Sequence, residues 1–196
     1  MLSQIRPAIV STILFTLLLG LAYPLAVTGV SKLAFPYQAG GSLVRDSSGK
    51  VIGSALIAQG FAKPEYLHPR PSAAGMGWDA SNSSGSNYGP LSADLLKRVK
   101  GDAAALRAST GRQEIPDDAI TTSGSGLDPD ISPAYADLQA ERIARARGVS
   151  TDQVQRLISA HIDQPFLGFV GQPRVNVLIT NLALDAAFAK GHLPGR

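Results

Sequence analysis

In the segment Thr121-Thr-Ser-Gly-Ser-Gly-Leu-Asp-Pro-Asp-Ile-Ser-Pro133, two glycines alternate with two serines just ahead of a helix-capping serine. Backbone of this kind can turn several N–H groups to one side as a nest. With the following helix N-terminus it would attract an anion such as phosphate. The competing reading is a tight turn whose serines satisfy local backbone groups, and the spacing alone favours the turn. The acids Asp117-Asp118 and Asp128/Asp130 would gather cations there or lie solvated in loops. Asp128-Pro-Asp130 opens like a calcium loop. It places Ser132 and Pro133 where Asp or Asn and then glycine are needed, so calcium ligation is rejected.

Other chemistry is sparse. There is no Walker glycine-lysine loop, no Gly-x-Ser-x-Gly, no His-Glu-x-x-His and no Asp-Lys-Thr-Gly phosphorylation loop. His68, His161 and His192 share no element, which argues against a metal site. A hydrolase using Ser125 or Ser86 with His68 or His161 is supported only by the presence of those residue types. A solute- or cation-binding domain acting alone is a third class. The absence of cysteine removes disulfides, thiolate nucleophiles and cysteine-based zinc or iron–sulfur sites. A net charge of +3, from 18 Lys+Arg against 15 Asp+Glu, is too small to argue for a nucleic-acid partner.

The elements that must position these residues follow from period and punctuation. Leu43–Arg45 and 50–57 flank Asp46-Ser-Ser-Gly49 and predict a β-hairpin, with Gly49 supplying the positive φ. Residues 61–90 carry Pro, Gly, Ser and Asn with no surviving period, yet Phe61, Tyr66, Leu67, Met76, Trp78 and Tyr88 should pull this loop onto a core. Ser92 caps a helix over 93–108, with Leu95, Leu96, Val99 and Leu106 on one side. Ser132 followed by Pro133 opens a second helix that stops at Gly148. Its Gln139, Arg142, Arg145 and Arg147, with the i,i+4 pair Glu141–Arg145, read first as a solvated face and secondly as a docking surface. Ser150 or Thr151 opens a third helix that ends near His161. The apolar run 175–188 has a β-branched start that suits a strand, but Leu178, Leu182 and Asp185 at helical spacing favour a helix.

Between Arg6 and Lys32 there is no charged residue, and this run exceeds the ~20 residues a helix needs to cross a bilayer. A cleaved signal peptide would use Arg6 as its basic region and Gly20-Leu21-Ala22 as its cleavage site. The apolar character continues through Leu25-Ala-Val27 and Val30, which favours a retained span. Pro24 lies late in it, and Tyr23, Phe35 and Tyr37 form an interfacial aromatic belt. The expected organisation is a head over 1–6, a transmembrane helix over 7–31 and one mixed α/β soluble domain over 36–196, an α+β chain overall. Basic residues nearly balance across the span, Arg6 before it and Lys32, Arg45 and Lys50 after it. Since large domains translocate largely regardless of charge, the domain is expected outside the inner membrane.

The residues also carry a resemblance. The span with Arg6-Pro7, Leu21-Ala-Tyr-Pro-Leu25 and Thr28-Gly29 is similar to the anchor of the C subunit of bacterial Kdp potassium-transporting ATPases. The similarity continues through Gly53-Ser-Ala-Leu-Ile57, His68-Pro-Arg-Pro-Ser72 and Gly85-Ser-Asn-Tyr-Gly-Pro90. It extends to Ser123-Gly-Ser-Gly-Leu-Asp-Pro129, Ile131-Ser-Pro133, Gln139, Arg142, Arg147-Gly148, Val175-Asn-Val-Leu178, Asn181-Leu182 and Leu184-Asp185. The chain departs from that pattern at Ser84, Tyr88 and Asp130. The resemblance implies a non-catalytic subunit of a high-affinity potassium-uptake complex. Its partners would be a P-type ATPase subunit, a channel-like potassium-selecting subunit and a small membrane peptide. No cofactor would be firmly bound; ATP would be met through the ATPase subunit. As a chaperone raising ATP affinity, the chain would use Ser123, Gly124, Ser125, Gly126 and Gln139 toward nucleotide. The alternative it implies is an extracytoplasmic domain that shapes potassium entry without nucleotide.

Overall fold

The computed structural model describes residues 2–188, so His192 and the last part of the expected domain lie outside the described residues. The chain divides into two compact units, Met1–Ser54 and Ala55–Arg196. In the first, α1 (Ile5–Leu17) and α2 (Tyr23–Ala34) are joined through one π-helical turn, Leu18–Ala22, into a continuous 30-residue helix. At 1.5 Å per residue it is about 45 Å long, more than a hydrocarbon core requires. None of its most apolar window is buried against the chain. The π turn has a local cause. Pro24 has no N–H and its ring crowds the carbonyl four residues back, and the ladder widens just before it, Tyr23 N–H donating to Leu18 O five residues back.

A short helix α3 (Pro36–Ala39) leads into the hairpin β1 (Leu43–Arg45) and β2 (Val51–Ser54), paired antiparallel with Leu43 opposite Ser54 and a bulge between Val44 and Arg45. Gly49 has φ +83°, as the turn demands. The Asp46 carboxylate accepts from Ser48 N–H, Ser48 Oγ and Lys50 N–H at 2.9, 2.6 and 3.0 Å, closing the loop. The second strand ends at Ser54 rather than at Ile57. Leu56 and Ile57 stay exposed, so no buried face rewards further pairing.

The second unit begins with irregular chain over 55–92. It continues through α4 (Ala93–Thr110), β3 (Asp130–Ile131), α5 (Pro133–Arg147), α6 (Thr151–Ala160), β4 (Ile162–Asp163), β5 (Arg174–Asn176) and α7 (Val177–Ala187). The helix starts are those that the serines predict. Ser92, Ser132 and Ser150 accept from the N–H groups of Leu95, Tyr135 and Gln153, and Ser150 with Gln153 completes a capping box. Gly111 and Gly148, at φ +68° and +70°, end α4 and α5 in the left-handed conformation that glycine adopts most cheaply. The run from 175 is both a strand and a helix. Val175 is the centre of a three-stranded antiparallel sheet ordered β3-β5-β4, opposite Ile131 and Ile162. Asn176 then accepts from Ile179 N–H and caps α7.

The core gathers on α5. Ala136, Ala140, Ile143 and Ala144 form a stripe against Val154 and Ile158 of α6, Val175 of β5, and Val177 and Leu184 of α7, with Leu67 of the long loop fully buried among them. Small alanines let the neighbouring backbones approach closely. By contrast α4 buries only Ala103, and Leu96, expected on its inner side, is more than half exposed. Met76 and Tyr88 also stay exposed, whereas Phe61 packs its ring 5.4 Å from that of Tyr66 at the core edge. Thr180 on α7 is fully buried, and its Oγ1 has no hydrogen-bond partner among the described residues. Replacing it with the near-isosteric valine removes a desolvated hydroxyl, so Thr180→Val should stabilise the chain by about 1 kcal/mol. A rise of roughly 2–4 °C in the unfolding midpoint of the detergent-solubilised chain is the expected reading, and an unchanged or lower midpoint contradicts it.

Candidate functional site

An irregular segment can be buried only if its backbone polar groups find partners. Here side chains supply them. Asn181 on α7 accepts from Leu67 N–H at 2.7 Å and donates to Leu67 O at 3.0 Å. Gln139 on α5 does the same for the next residue, accepting from His68 N–H at 2.8 Å and donating to His68 O at 3.1 Å. Both carboxamides are buried. Each forms the two-bond ring that a β-strand partner would form, so the loop is held as if paired in a sheet.

Arginines complete the clamp. Arg142 donates to Pro64 O and to Gln139 Oε1, both at 2.6 Å. Arg147, whose side chain is only 5% exposed, donates to Glu65 O, Leu184 O and Asp185, and its guanidinium lies 5.3 Å from the centre of the Tyr66 ring. Tyr66 in turn donates to Asp185 Oδ2. The solvated face expected on α5 therefore reduces to Arg145 with Glu141, an exposed pair at 2.7 Å. Arg142 and Arg147 turn inward because loop carbonyls, invisible in the helix's own sequence, need donors. Gln139 and Arg147 share the helical stripe of Ala136, Ala140 and Ile143, and a polar residue in an apolar stripe was the readable signal of a buried contact. Asn181 sits likewise between Leu178 and Leu184.

The Ser123–Gly126 segment packs against another part of the same long loop. Ser125 O accepts from Ser84 N–H and Ser83 Oγ, Gly126 O accepts from Ser72 Oγ at 2.7 Å, and Leu127 N–H donates to Ser125 Oγ. Gly126 has φ +68°, and a Cβ there would lie 2.5 Å from Ser84 O and 2.7 Å from Ala74 N. The glycine thus permits a close backbone approach as well as the turn. The acids nearby are engaged too. Asp118 accepts from Ser132 N–H and Oγ, Asp128 pairs with Arg70 at 2.9 Å, and Asp130 pairs with Arg174 at 3.1 Å. Burial raises the Asp130 carboxyl above its ordinary range, against the opposing pull of Arg174 and Asn176. His161 Nδ1 contacts Leu157 O at the end of α6, and among the described residues neither histidine bonds Ser125 or Ser86.

One cavity joins part of this clamp to solvent. It has a volume of about 450 Å³ and is lined by Leu106, Thr110 and Arg112 at the end of α4, by Tyr135, Asp137, Gln139, Glu141, Arg142 and Arg145 of α5, by Thr151 and Gln155 of α6, and by His68. The Ser123–Gly126 segment does not line it, so the structure does not bring the two groups of anticipated contacts to one cavity. Burial pushes the Tyr135 phenol up to about 12, keeping it neutral, and burial lowers the Arg142 guanidinium. Arg142 contacts neutral groups, and no carboxylate lies within ion-pair distance of it among the described residues. An uncompensated guanidinium beside a carboxamide suits an anionic or polar ligand.

Burial, then the charge of Arg142, holds the His68 imidazole below its usual 6.5, while its ring contacts Lys63 O at 3.0 Å. The unfolded chain therefore binds this proton first, and the contribution of His68 to stability is complete above about pH 6.5 and lost as the pH falls below it. The unfolding midpoint should fall between pH 7.5 and 5, and His68→Gln should flatten that dependence; equal slopes for the two proteins exclude His68 as the source. Loss of either carboxamide, in Gln139→Ala or Asn181→Ala, strands buried loop groups and should cost about 2–4 kcal/mol in denaturant unfolding. A cost under about 1 kcal/mol shows that the loop is held otherwise.

Comparison with known proteins covers most of the chain. The family model described as "K+-transporting ATPase, c chain" matches residues 5–186. A protein of Caulobacter vibrioides (strain NA1000 / CB15N) is 68% identical over 188 residues, covering 96% of this chain and 95% of that protein. One of Beijerinckia indica is 60% identical over 190 residues, with 96% of each covered. One of Rhodopseudomonas palustris (strain CGA009) is 52% identical over 199 residues, covering 95% of this chain and 98% of that protein. All three are named potassium-transporting ATPase KdpC subunit.

Proposed function

The chain belongs to the KdpC family, the c chain of K+-transporting ATPases, and on that premise we propose that it is the non-catalytic subunit that assembles and stabilises its complex from outside the inner membrane. Its partners are the P-type ATPase subunit, the channel-like potassium-selecting subunit and the small membrane peptide. The 30-residue helix anchors it and leaves its apolar surface free for lipid and for neighbouring helices. One span encloses no aqueous path, so the ion path belongs to the partners.

The observation that carries this reading is that Gln139, Ser125 and Gly126, among the positions matched to nucleotide, spend polar groups on the chain itself. Both polar atoms of Gln139 grip His68, and the carbonyls of Ser125 and Gly126 accept from Ser84 and Ser72. An exported domain never meets ATP. Any effect on ATP affinity then passes to the ATPase subunit as a coupling free energy between arrangements of the complex. By sitting over the potassium-selecting subunit the domain also shapes ion entry.

A second reading has its own observation. The groove beside Gln139 holds the uncompensated Arg142 with Arg112 at its lining, Arg145 being paired there with Glu141, and in the cytoplasm Arg142 and Arg112 would face a nucleotide phosphate. It corresponds to a chaperone that raises ATP affinity by contact.

Topology separates the two. The chain has no cysteine and Met76 is fully exposed, so Met76→Cys gives a single probe. An impermeant maleimide should label it in intact cells; labelling only after lysis overturns the first reading in favour of the second. Arg145→Ala, on an exposed side chain of the groove, should leave the KM for ATP of the assembled complex within about twofold, whereas a rise of about tenfold supports direct contact.

A further inference from the structure

The connection between β4 and β5 ends in an apolar tip that none of the described residues covers. Phe166, Leu167, Phe169 and Val170 are 71%, 70%, 77% and 51% exposed. From Gln164 to Pro173 there is no ionisable residue. The tip is nevertheless built. Phe166 and Val170 exchange both backbone hydrogen bonds, at 3.0 and 2.9 Å, Gly168 N–H donates to Pro165 O at 2.9 Å, and Phe169 N–H donates to Phe166 O at 3.3 Å. Leu167 is held at φ +55°, a left-handed conformation that side chains other than glycine's rarely adopt. Four backbone hydrogen bonds thus close the loop on itself, and its apolar side chains stay exposed.

We propose that this tip is a knob that seats in an apolar pocket on the extramembrane surface of a membrane-embedded subunit of the same complex; the proposal rests on the subunit reading above. Three features select that occupant. First, the four side chains leave on the order of 500 Å² of apolar surface, below the roughly 800 Å² per partner of a stable interface between free proteins. A knob of that size holds only a partner already concentrated beside it, which a shared membrane provides. Second, loops that rest in lipid pair apolar tips with Trp, Tyr, Lys or Arg at the headgroups. Here residues 162–173 contain none of these. The adjoining Arg174 is engaged by Asp130 at 3.1 Å and Asp163 at 3.5 Å, and Asp163 itself is exposed. That charge pattern opposes an anionic leaflet. Third, an aromatic centre without charges inside a polar rim of Gln164, Gln172 and the Asp163–Arg174 pair is the composition of a protein–protein hot spot.

The test uses the whole complex in native membranes, with a benzophenone side chain introduced at position 169 and, as control, at the fully exposed Leu91. Irradiation should link position 169, at least about tenfold more than position 91, to a polytopic transporter subunit identified by mass spectrometry. In parallel, Phe166→Ser with Phe169→Ser should lower recovery of the large subunits with the tagged chain about tenfold while leaving its unfolding midpoint unchanged. Adducts with lipid alone overturn the proposal in favour of a bilayer contact, adducts with a second copy in favour of self-association. Equal recovery of the double variant, with no adduct at position 169, overturns it outright. If the unaltered chain recovers no transporter subunit at all, the subunit reading itself has failed, an outcome distinct from failure of the tip.

Discussion

Two buried carboxamides decide the architecture of the extramembrane unit. Asn181 and Gln139 take both backbone polar groups of Leu67 and of His68, and so allow a fully buried leucine in a segment with no regular structure. Without such partners each buried N–H or C=O would cost as much as a lost hydrogen bond, and the loop would have to run over the surface. The clamp also ties α5 to α7 through a third element, which the apolar stripe on α5 could not do alone. The two-residue strands β3 and β4 contribute little pairing, so this substitute pairing carries part of the load of a larger sheet.

The same constraint explains where the charges went. Arg147 is almost wholly buried, yet it is not stranded: Glu65 O, Leu184 O and Asp185 take its N–H groups while Tyr66 covers its face. Arg142 is treated differently, since its contacts are neutral and one side faces the groove. The unit thus combines an interior in which side chains take up the polar groups of a buried loop with a groove that Arg142 faces and an exposed apolar tip.

The anchor obeys a different rule. In water an unburied 30-residue apolar helix would be a liability, but in lipid it needs only an intact backbone ladder. Pro24 breaks that ladder at one point, and the π turn before it spreads the disturbance over five residues. Such a turn is also a place where a span can bend against neighbouring helices.

The sequence by itself determined what local rules control. The span follows from an uncharged run, the helix starts from Ser92, Ser132 and Ser150, the end of α5 from Gly148, and the hairpin turn from Gly49, because caps, breakers and hydrophobic runs act within a few residues; α4 runs two residues past the expected 108, to Thr110. The family motifs were also legible, since they are short strings. Tertiary structure alone decided the rest. Val175 lies in a strand rather than the start of a helix because Ile131 and Ile162, 44 and 13 residues earlier in the chain, pair with it on both sides. Gln139, Arg142 and Arg147 face inward because carbonyls more than seventy residues earlier lack donors. The serine–glycine segment is a clasp because Ser72 and Ser84 come to meet it. Hydrogen bonds at such separations leave no period in a sequence; they exist only once the chain has closed on itself.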